Sequence, residues 1–137
     1  MEALKEKDND KLKGVLAEAF QNQENIDEEI DNLINFIDGN IISYDEIDIA
    51  SLGRGSSDEK GMIYRMYDGE TENIVIDSGK KYKLKYYMYY VNRNHKDYEG
   101  IIQIWLEDTE LYIEENDYPD NGVYGIWLDK DADAADE

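Results

Sequence analysis

The chain has 137 residues, and its 34 Asp and Glu against 14 Lys and Arg give a formal net charge of −20. Hydrophobic residues make up 41% of the chain and aromatic residues 12%, which excludes a disordered acidic tail protein and predicts a single folded domain over 1–137. With no Cys, the chain has neither a disulfide framework nor a thiolate metal site.

The net charge exceeds the magnitude of roughly 2–8 that keeps a small domain soluble, and it destabilises the compact state by self-repulsion. We therefore expect a strongly basic partner. The first residues lack a basic segment followed by an apolar run, and no stretch reaches the about 18 apolar residues of a membrane span. These features predict a soluble, cytoplasmic protein with no membrane partner.

Two helices are predicted in the helical part, 1–38. The apolar residues between Leu12 and Phe20 follow the spacing of one buried helix stripe. A second apolar stripe runs from Ile26 to Ile37, with Asn25 as its N-cap and Gly39 as its stop.

A loop-rich connection is predicted over 40–61. Within it, Ile41-Ile42 and Ile47–Ile49 are expected to be short extended pieces, and Leu52–Asp58 a flexible loop.

From Met62 the apolar period changes to two, which predicts an antiparallel sheet over 62–128. The predicted strands are Met62–Tyr67, Asn73–Asp77, Tyr82–Val91, Ile101–Leu106, Glu110–Glu114 and Val123–Leu128. The turn signals are Asp68-Gly69, Asp77–Gly79, Glu107–Thr109 and Pro119–Gly122, and Asn92–Gly100 is a polar, exposed connection. The predicted fold class is α+β, with two N-terminal helices packed on an antiparallel sheet of five to six strands. The acidic tail, 129–137, is expected to be disordered.

Charge is distributed as two acidic blocks around one basic segment. Residues 14–79 carry sixteen acids and three bases, 80–96 carry six bases and no acid, and 97–137 carry fourteen acids and one base. In the first block, five acids lie opposite the isoleucine stripe of the second helix: Glu24, Asp27, Glu28, Asp31 and Asp38. Neighbouring carboxylates there lie about 5–6 Å apart, which is comparable to the spacing of phosphates along a nucleic-acid strand.

The second block contributes acids near the strand turns, with two tyrosines as rigid anchors. These candidate partner-binding residues are Glu107, Asp108, Glu110, Tyr112, Glu114, Glu115, Asp117, Tyr118 and Asp120. A solvated acidic face with no partner is the simpler reading of the helix stripe alone, and the second block is what favours an interface.

The basic segment alternates, so that Lys81, Lys83, Lys85, Tyr87 and Tyr89 share one strand face. We expect these lysines to pair across strands with acids, with Asp77, Glu110 and Glu114 as the named examples. Single-strand nucleic-acid binding and homodimer formation through complementary patches are the other readings. No direct nucleic-acid contact is predicted for a chain this acidic.

No catalytic residue, metal site or cofactor site is predicted. His95 is the only His and is expected to be a solvated loop residue. The Asp129, Asp131 and Asp133 spacing copies the start of a calcium loop, but the sixth position is Ala134. We therefore do not expect an enzyme.

In overall character, the chain resembles phage-encoded nucleic-acid mimics, the anti-CRISPR and anti-restriction proteins, which are small, acidic and often α+β. No shared motif carries this resemblance, and no residue is transferred from it. It implies an inhibitor that occupies the basic groove of a nucleic-acid-binding defence enzyme, with anti-CRISPR as the preferred subtype. The alternatives are an immunity protein that neutralises a cognate toxin nuclease, and an acidic interaction module or chaperone for basic proteins.

Overall fold

Helices come first and strands second in the computed structural model, which describes residues 1–49, 54–110 and 122–128. Four short helices lie in the described N-terminal part: α1 Glu2–Glu6, α2 Asn9–Val15, α3 Glu18–Gln21 and α4 Ile26–Phe36. The described strands are β1 Ile41–Ser43, β2 Asp48–Ile49, β3 Arg54–Asp58, β4 Gly61–Ile76, β5 Lys81–Asn92, β6 Gly100–Asp108 and β7 Val123–Trp127. A 3₁₀ turn, Lys96–Tyr98, joins β5 to β6.

All these strands form one antiparallel sheet, which confirms the predicted α+β class. The main order is β1-β4-β5-β6-β7, and β2 and β3 also pair with β4. At 16 residues, β4 is long enough to take β1, β2 and β3 one after another along one edge while β5 covers the other. The strands predicted over 82–91, 101–106 and 123–128 are confirmed as β5, β6 and β7.

The core lies between α4 and the inner face of the sheet. Ile26, Ile30, Leu33 and Ile34 of α4 are buried, as the apolar stripe predicts. Strand β5 alternates as expected, with Tyr82–Tyr86 placing every second side chain in the core. The helices therefore cover one face of the sheet, and the lysines of β5 lie on the opposite face.

The first predicted helix is wrong in its length, since the chain leaves helical geometry between α2 and α3. Leu16 is extended and forms a bridge to Ile101, and the Ala17 N–H donates to the Ile101 carbonyl at 2.9 Å. Gly100 has a positive φ of 122°, and a Cβ there would press on the Ala17 backbone. Pairing with β6 thus overrides the local helical pattern.

The turn predicted at Asp68-Gly69 is also wrong, because both residues lie inside the continuous strand β4. Gly69 pairs with Tyr86 on β5, and the Tyr86 ring lies where a Cβ on Gly69 would be. The glycine is therefore needed for close packing of an aromatic ring and not for a reversal of the chain.

The connection predicted as loop-rich contains three short strands. The two extended pieces are confirmed as β1 and β2, whereas the predicted loop over 52–58 is wrong for its described part, because Arg54–Asp58 forms β3. Asp58 then receives two hydrogen bonds from the Arg93 guanidinium, at 2.9 and 2.6 Å, which tie this hairpin to the end of β5. The predicted tail and most of the predicted strand Glu110–Glu114 lie outside the described residues.

The connection Asn92–Gly100 is only partly exposed, contrary to the prediction. Tyr98 is buried, and the His95 ring stacks on it with centroids 5.1 Å apart, so His95 is a half-buried packing residue. Stacking of this kind draws the loop onto the end of the sheet.

A Gly69→Ala substitution should lower the free energy of unfolding by about 1–3 kcal/mol, because the added methyl group meets the Tyr86 ring. Urea denaturation measures this. Gly14→Ala is the control: it lies in α2 with open space around its Cβ, and it should stabilise by about 0.5–1 kcal/mol. Equal stability of the two variants would contradict the packing role of Gly69.

The hydrogen bonds from Arg93 lower the pKa of Asp58 from 3.8 to about 2. Because the folded pKa is depressed, the stability that this pair contributes is present above about pH 4 and is lost as the pH falls through 2. NMR titration of the Asp58 carboxyl carbon should give the low value in the native protein. In Arg93→Gln it should return toward the ordinary value, and an unchanged titration would refute the assignment of the cause.

Candidate acidic interface

Three of the five predicted acids lie where the sequence places them, on the face of α4 that points away from the core: Asp27, Glu28 and Asp31. The prediction is wrong for the other two, since Glu24 lies in the turn before the left-handed N-cap residue Asn25 and Asp38 lies just beyond the helix end, although both are exposed. Helix α4 forms because its apolar residues recur every three or four positions, and the same period sends its acids outward. We call the three helical acids together with Glu24 the α4 acidic face (Glu24, Asp27, Glu28 and Asp31).

The ends of α4 differ from the prediction. Asn25 is the N-cap residue but has a left-handed backbone, and its side chain makes no capping hydrogen bond. The helix ends at Phe36, followed by an extended Ile37, so Gly39 is not its stop. A Cβ on Gly39 would collide with the Asp77 side chain. A glycine at this position therefore lets the turn between β4 and β5 pack against the segment that follows α4.

Helix α2 holds two members of the α4 acidic face. The Lys13 ammonium lies 2.9 Å from an Asp27 carboxylate oxygen, and the Asn9 amide donates to Asp31 at 3.1 Å. Within the described residues, neither Glu24 nor Glu28 has an ion-pair partner. Glu24 and Glu28 are therefore available to bind a cation of a partner protein.

The prediction for Glu107 and Asp108 is wrong in placing them at an exposed turn, since both lie at the end of β6 and are buried. Glu107 accepts a hydrogen bond from the Trp105 indole at 3.1 Å and lies 3.5 Å from Lys85. Asp108 forms an ion pair with Lys80 at 2.6 Å. These two carboxylates can be buried because each has a lysine partner, Lys85 of β5 for Glu107 and Lys80, just before β5, for Asp108. A buried charge requires such a partner.

Glu110 is exposed, and its backbone N–H donates to the Asp108 carboxylate at 3.0 Å. The other predicted members of the second acidic block lie outside the described residues: Tyr112, Glu114, Glu115, Asp117, Tyr118 and Asp120.

The expectation that the lysines of β5 pair with acids of neighbouring strands is confirmed, although the partners differ from those named. Lys83 lies 3.3 Å from Glu70 and 3.4 Å from Glu72, both on β4. Just before β5, the hydrogen bond that the Lys80 ammonium donates to Asp108 raises the pKa of Lys80. Lys83 and Lys85 of β5 and the preceding Lys80 are therefore occupied by internal ion pairs, whereas Lys81 is exposed and has no ion pair among the described residues.

Among the described residues, the remaining negative charge is concentrated in the first part of the chain. Residues 14–49 carry ten carboxylates and no Lys or Arg, whereas 80–110 carry five acids and six bases. Strands β5 and β6 are therefore close to neutral. Of the described elements, the helical layer and the β1–β2 edge carry most of the unbalanced charge.

A concave region of about 680 Å³ adjoins the α4 acidic face, between the start of α4 and β7. Glu24 and Glu29 line one side, and Tyr124 and Trp127 line the other. One carboxylate oxygen of Glu29 is buried without a hydrogen-bond partner, and burial raises the pKa of this group, with a further contribution from Glu28. Trp127 remains 54% exposed.

The sequence did not single out Glu29, Tyr124 or Trp127. Glu29 was visible only as one of three acids in the first turn of α4, and the two aromatic residues only as alternating members of a strand. Their proximity follows from the packing of β7 beside α4, which no local pattern encodes.

Within the described residues, no group of three or more His, Asp or Glu side chains is arranged to hold a metal ion. Across those same ranges, no helix is both long and apolar enough to span a membrane.

An Asp108→Asn substitution should lower the free energy of unfolding by about 1–3 kcal/mol, because it leaves the Lys80 ammonium without its buried carboxylate. The matched control is Glu28→Gln on α4, which should change stability by no more than about 0.5 kcal/mol. Chemical denaturation at neutral pH compares the two. A large effect of Glu28→Gln would mean that the exposed carboxylates are structural as well.

Comparison with known proteins identifies a family without a described activity. No curated protein is similar enough to count as a match. The family model of DUF5104, described as a domain of unknown function, matches residues 1–115, a range that includes α1–α4 and β1–β6 and ends before β7. The chain therefore belongs to the DUF5104 family.

Proposed function

We propose that this protein inhibits a nucleic-acid-binding enzyme by placing the α4 acidic face in the enzyme's basic groove. The observation that carries the proposal is the separation of charge: ten carboxylates and no base over 14–49, beside a sheet in which Lys83 and Lys85 of β5 and the preceding Lys80 pair with acids. A local surplus of negative charge on a small domain attracts a basic partner toward that surface.

The geometry of α4 supports mimicry of a phosphate backbone. Carboxylates three and four residues apart on a helix lie about 5–6 Å from one another, so Asp31 lies beside both Asp27 and Glu28 on α4. These three acids form a row, and Glu24 lies in the turn that precedes the helix. Lys and Arg that otherwise hold phosphates meet this row instead. The buried apolar stripe of α4 fixes the row in place, so that little ordering is needed on binding.

The paired and unpaired acids of the α4 acidic face have different roles in this proposal. Glu24 and Glu28 have no ion-pair partner among the described side chains and meet the partner's cations directly. Asp27 is shared with Lys13, which a cation of the partner has to displace. Trp127, exposed across the concave region from Glu24, would act as a rigid aromatic anchor that slows dissociation.

We place this activity in the cytoplasm of a host cell, with a CRISPR effector as the preferred target and a restriction enzyme as the next. The proposal is for a binding protein that uses no cofactor. Of the second acidic block, only Glu110 among the described residues remains available to a partner, because Glu107 and Asp108 are buried.

A double reversal, Glu24→Lys with Glu28→Lys, should weaken binding to the target by roughly 10–100-fold, because two attractive contacts become repulsive. The assay is plasmid cleavage by a guide-loaded CRISPR nuclease and by a restriction endonuclease, with the inhibitor titrated at two salt concentrations. Inhibition by the native protein should weaken as salt rises.

The matched control is Glu59→Lys with Asp97→Lys, which changes the net charge by the same amount at exposed positions away from α4. This variant should inhibit within about twofold of the native protein at high salt, where long-range attraction is screened. Equal losses in both variants would contradict a defined α4 interface. Weak binding of the native protein to many basic proteins would favour a chaperone, and inhibition of a toxin nuclease alone would favour an immunity protein.

A further inference from the structure

A second cavity, of about 320 Å³, lies between the first two helices and the inner face of the sheet. Leu4 of α1 and Leu12 of α2 form its roof, and Leu84 of β5 and Ile104 of β6 form its floor. All four side chains are buried in the hydrophobic core. The cavity is separate from the region beside α4 and β7, since the two share no lining residue.

The volume is large enough for an organic molecule. A cavity of about 150 Å³ lined by Leu, Ile and Phe stays dry and binds benzene. This cavity is roughly twice that size and within the range of natural ligand sites, which begins at about 300 Å³.

Apolar side chains at the mouth of the cavity remain in contact with solvent. Val15 of α2 is 48% exposed, and Ile47, which precedes β2, is 38% exposed. Two exposed aliphatic groups at one opening form a surface that an apolar molecule would cover.

One polar group in the lining has no partner. Tyr86 extends from β5 across Gly69, and no hydrogen bond joins its hydroxyl to another described residue. Burial raises the pKa of this hydroxyl, so it stays protonated at neutral pH and is a hydrogen-bond donor. Both charged side chains at the rim are already engaged: Lys11 pairs with Glu6 at 2.8 Å, and Glu2 accepts from the Tyr44 hydroxyl at 3.3 Å.

These features restrict the class of ligand. The aliphatic lining disfavours a hydrophilic molecule, and the net charge of −20, with Glu2 at the rim, disfavours an anion such as a fatty-acid carboxylate. We propose that the cavity between α1, α2 and strands β5 and β6 binds a neutral, apolar small molecule that carries one hydrogen-bond acceptor, which the Tyr86 hydroxyl contacts. An aromatic or short-chain ketone or ester fits this description.

The test uses two probes that differ by one carbonyl group, naphthalene and 1-acetylnaphthalene, titrated into the full chain and followed by calorimetry and by the methyl resonances of Leu84. Both probes should bind saturably with one site per chain, and the ketone should bind more tightly. Tyr86→Phe should weaken binding of the ketone by roughly 3–10-fold, the value of one neutral hydrogen bond, and leave naphthalene unchanged.

Two further pairs of variants locate the site. Ala3→Leu fills the cavity from α1 and should abolish binding of both probes. Val15→Ser at the mouth should weaken both, whereas Ile42→Ser, at another exposed aliphatic position outside the cavity, should weaken neither. If Ala3→Leu fails to fold, the Val15 and Ile42 pair still decides the location.

Absence of saturable binding in the native protein, or equal effects of Val15→Ser and Ile42→Ser, would overturn the proposal. Equal loss of both probes in Tyr86→Phe would show a cavity without the acceptor contact and would overturn the ligand class. The variant with Glu24→Lys and Glu28→Lys should bind both probes normally, so the outcome here is independent of the proposed inhibitor role.

Discussion

The fold depends on strand β5, which supplies both an apolar face to the core and a cationic face to its neighbours. In a chain with a net charge of −20, pairing of strands brings carboxylates together, and each pair left uncompensated would oppose folding. Lys83 meets Glu70 and Glu72 on one side of β5, and Lys85 meets Glu107 on the other. The sheet can therefore form around this strand because its lysines lie between two acidic neighbours.

This neutralisation determines where the remaining charge lies. Lys80, Lys83 and Lys85 pair with acids of the sheet, so they do not neutralise the acids of 14–49. Among the described ion pairs, the one that involves an acid of α4 is Lys13 with Asp27. The negative surface of the protein is thus a consequence of how the sheet is stabilised. Among the described residues, the helical layer carries more unbalanced negative charge than the sheet does, so the basic strand does not contradict the proposed acidic interface.

The sequence predicted the elements whose pattern is local. Helix α4 and strand β5 follow from side-chain periods of 3.6 and 2, which report burial directly. The predictions are wrong where a residue far away in the sequence determines the local structure or burial. Asp68-Gly69 has the composition of a turn, but Gly69 is required by the ring of Tyr86 on the next strand. Glu107 and Asp108 have the sequence context of an exposed turn beside Thr109. They are buried because Lys85 of β5 and Lys80, just before β5, form ion pairs with them.

The candidate site shows the same division. The outward direction of the α4 acids followed from helical geometry, whereas the neighbouring Trp127 and the buried oxygen of Glu29 depend on β7 packing beside α4. The cavity above Tyr86 was invisible in the sequence for the same reason. The residues that line it run from Met1 to Ile104 and belong to helices and strands far apart in the sequence. Taken alone, none of them has a sequence pattern that indicates a cavity.

Helix α2 connects the two candidate sites, and the two proposed ligands would act on it in opposite directions. Lys13 holds α2 to α4 through Asp27, while Leu12 and Val15 on the same helix line the cavity. The proposed basic partner at α4 would compete with Lys13 for Asp27 and so weaken the attachment of α2. The proposed neutral ligand in the cavity would add apolar contacts beneath α2 and strengthen that attachment. Because coupling between two binding equilibria is reciprocal, any antagonism between them has to appear equally in both affinities.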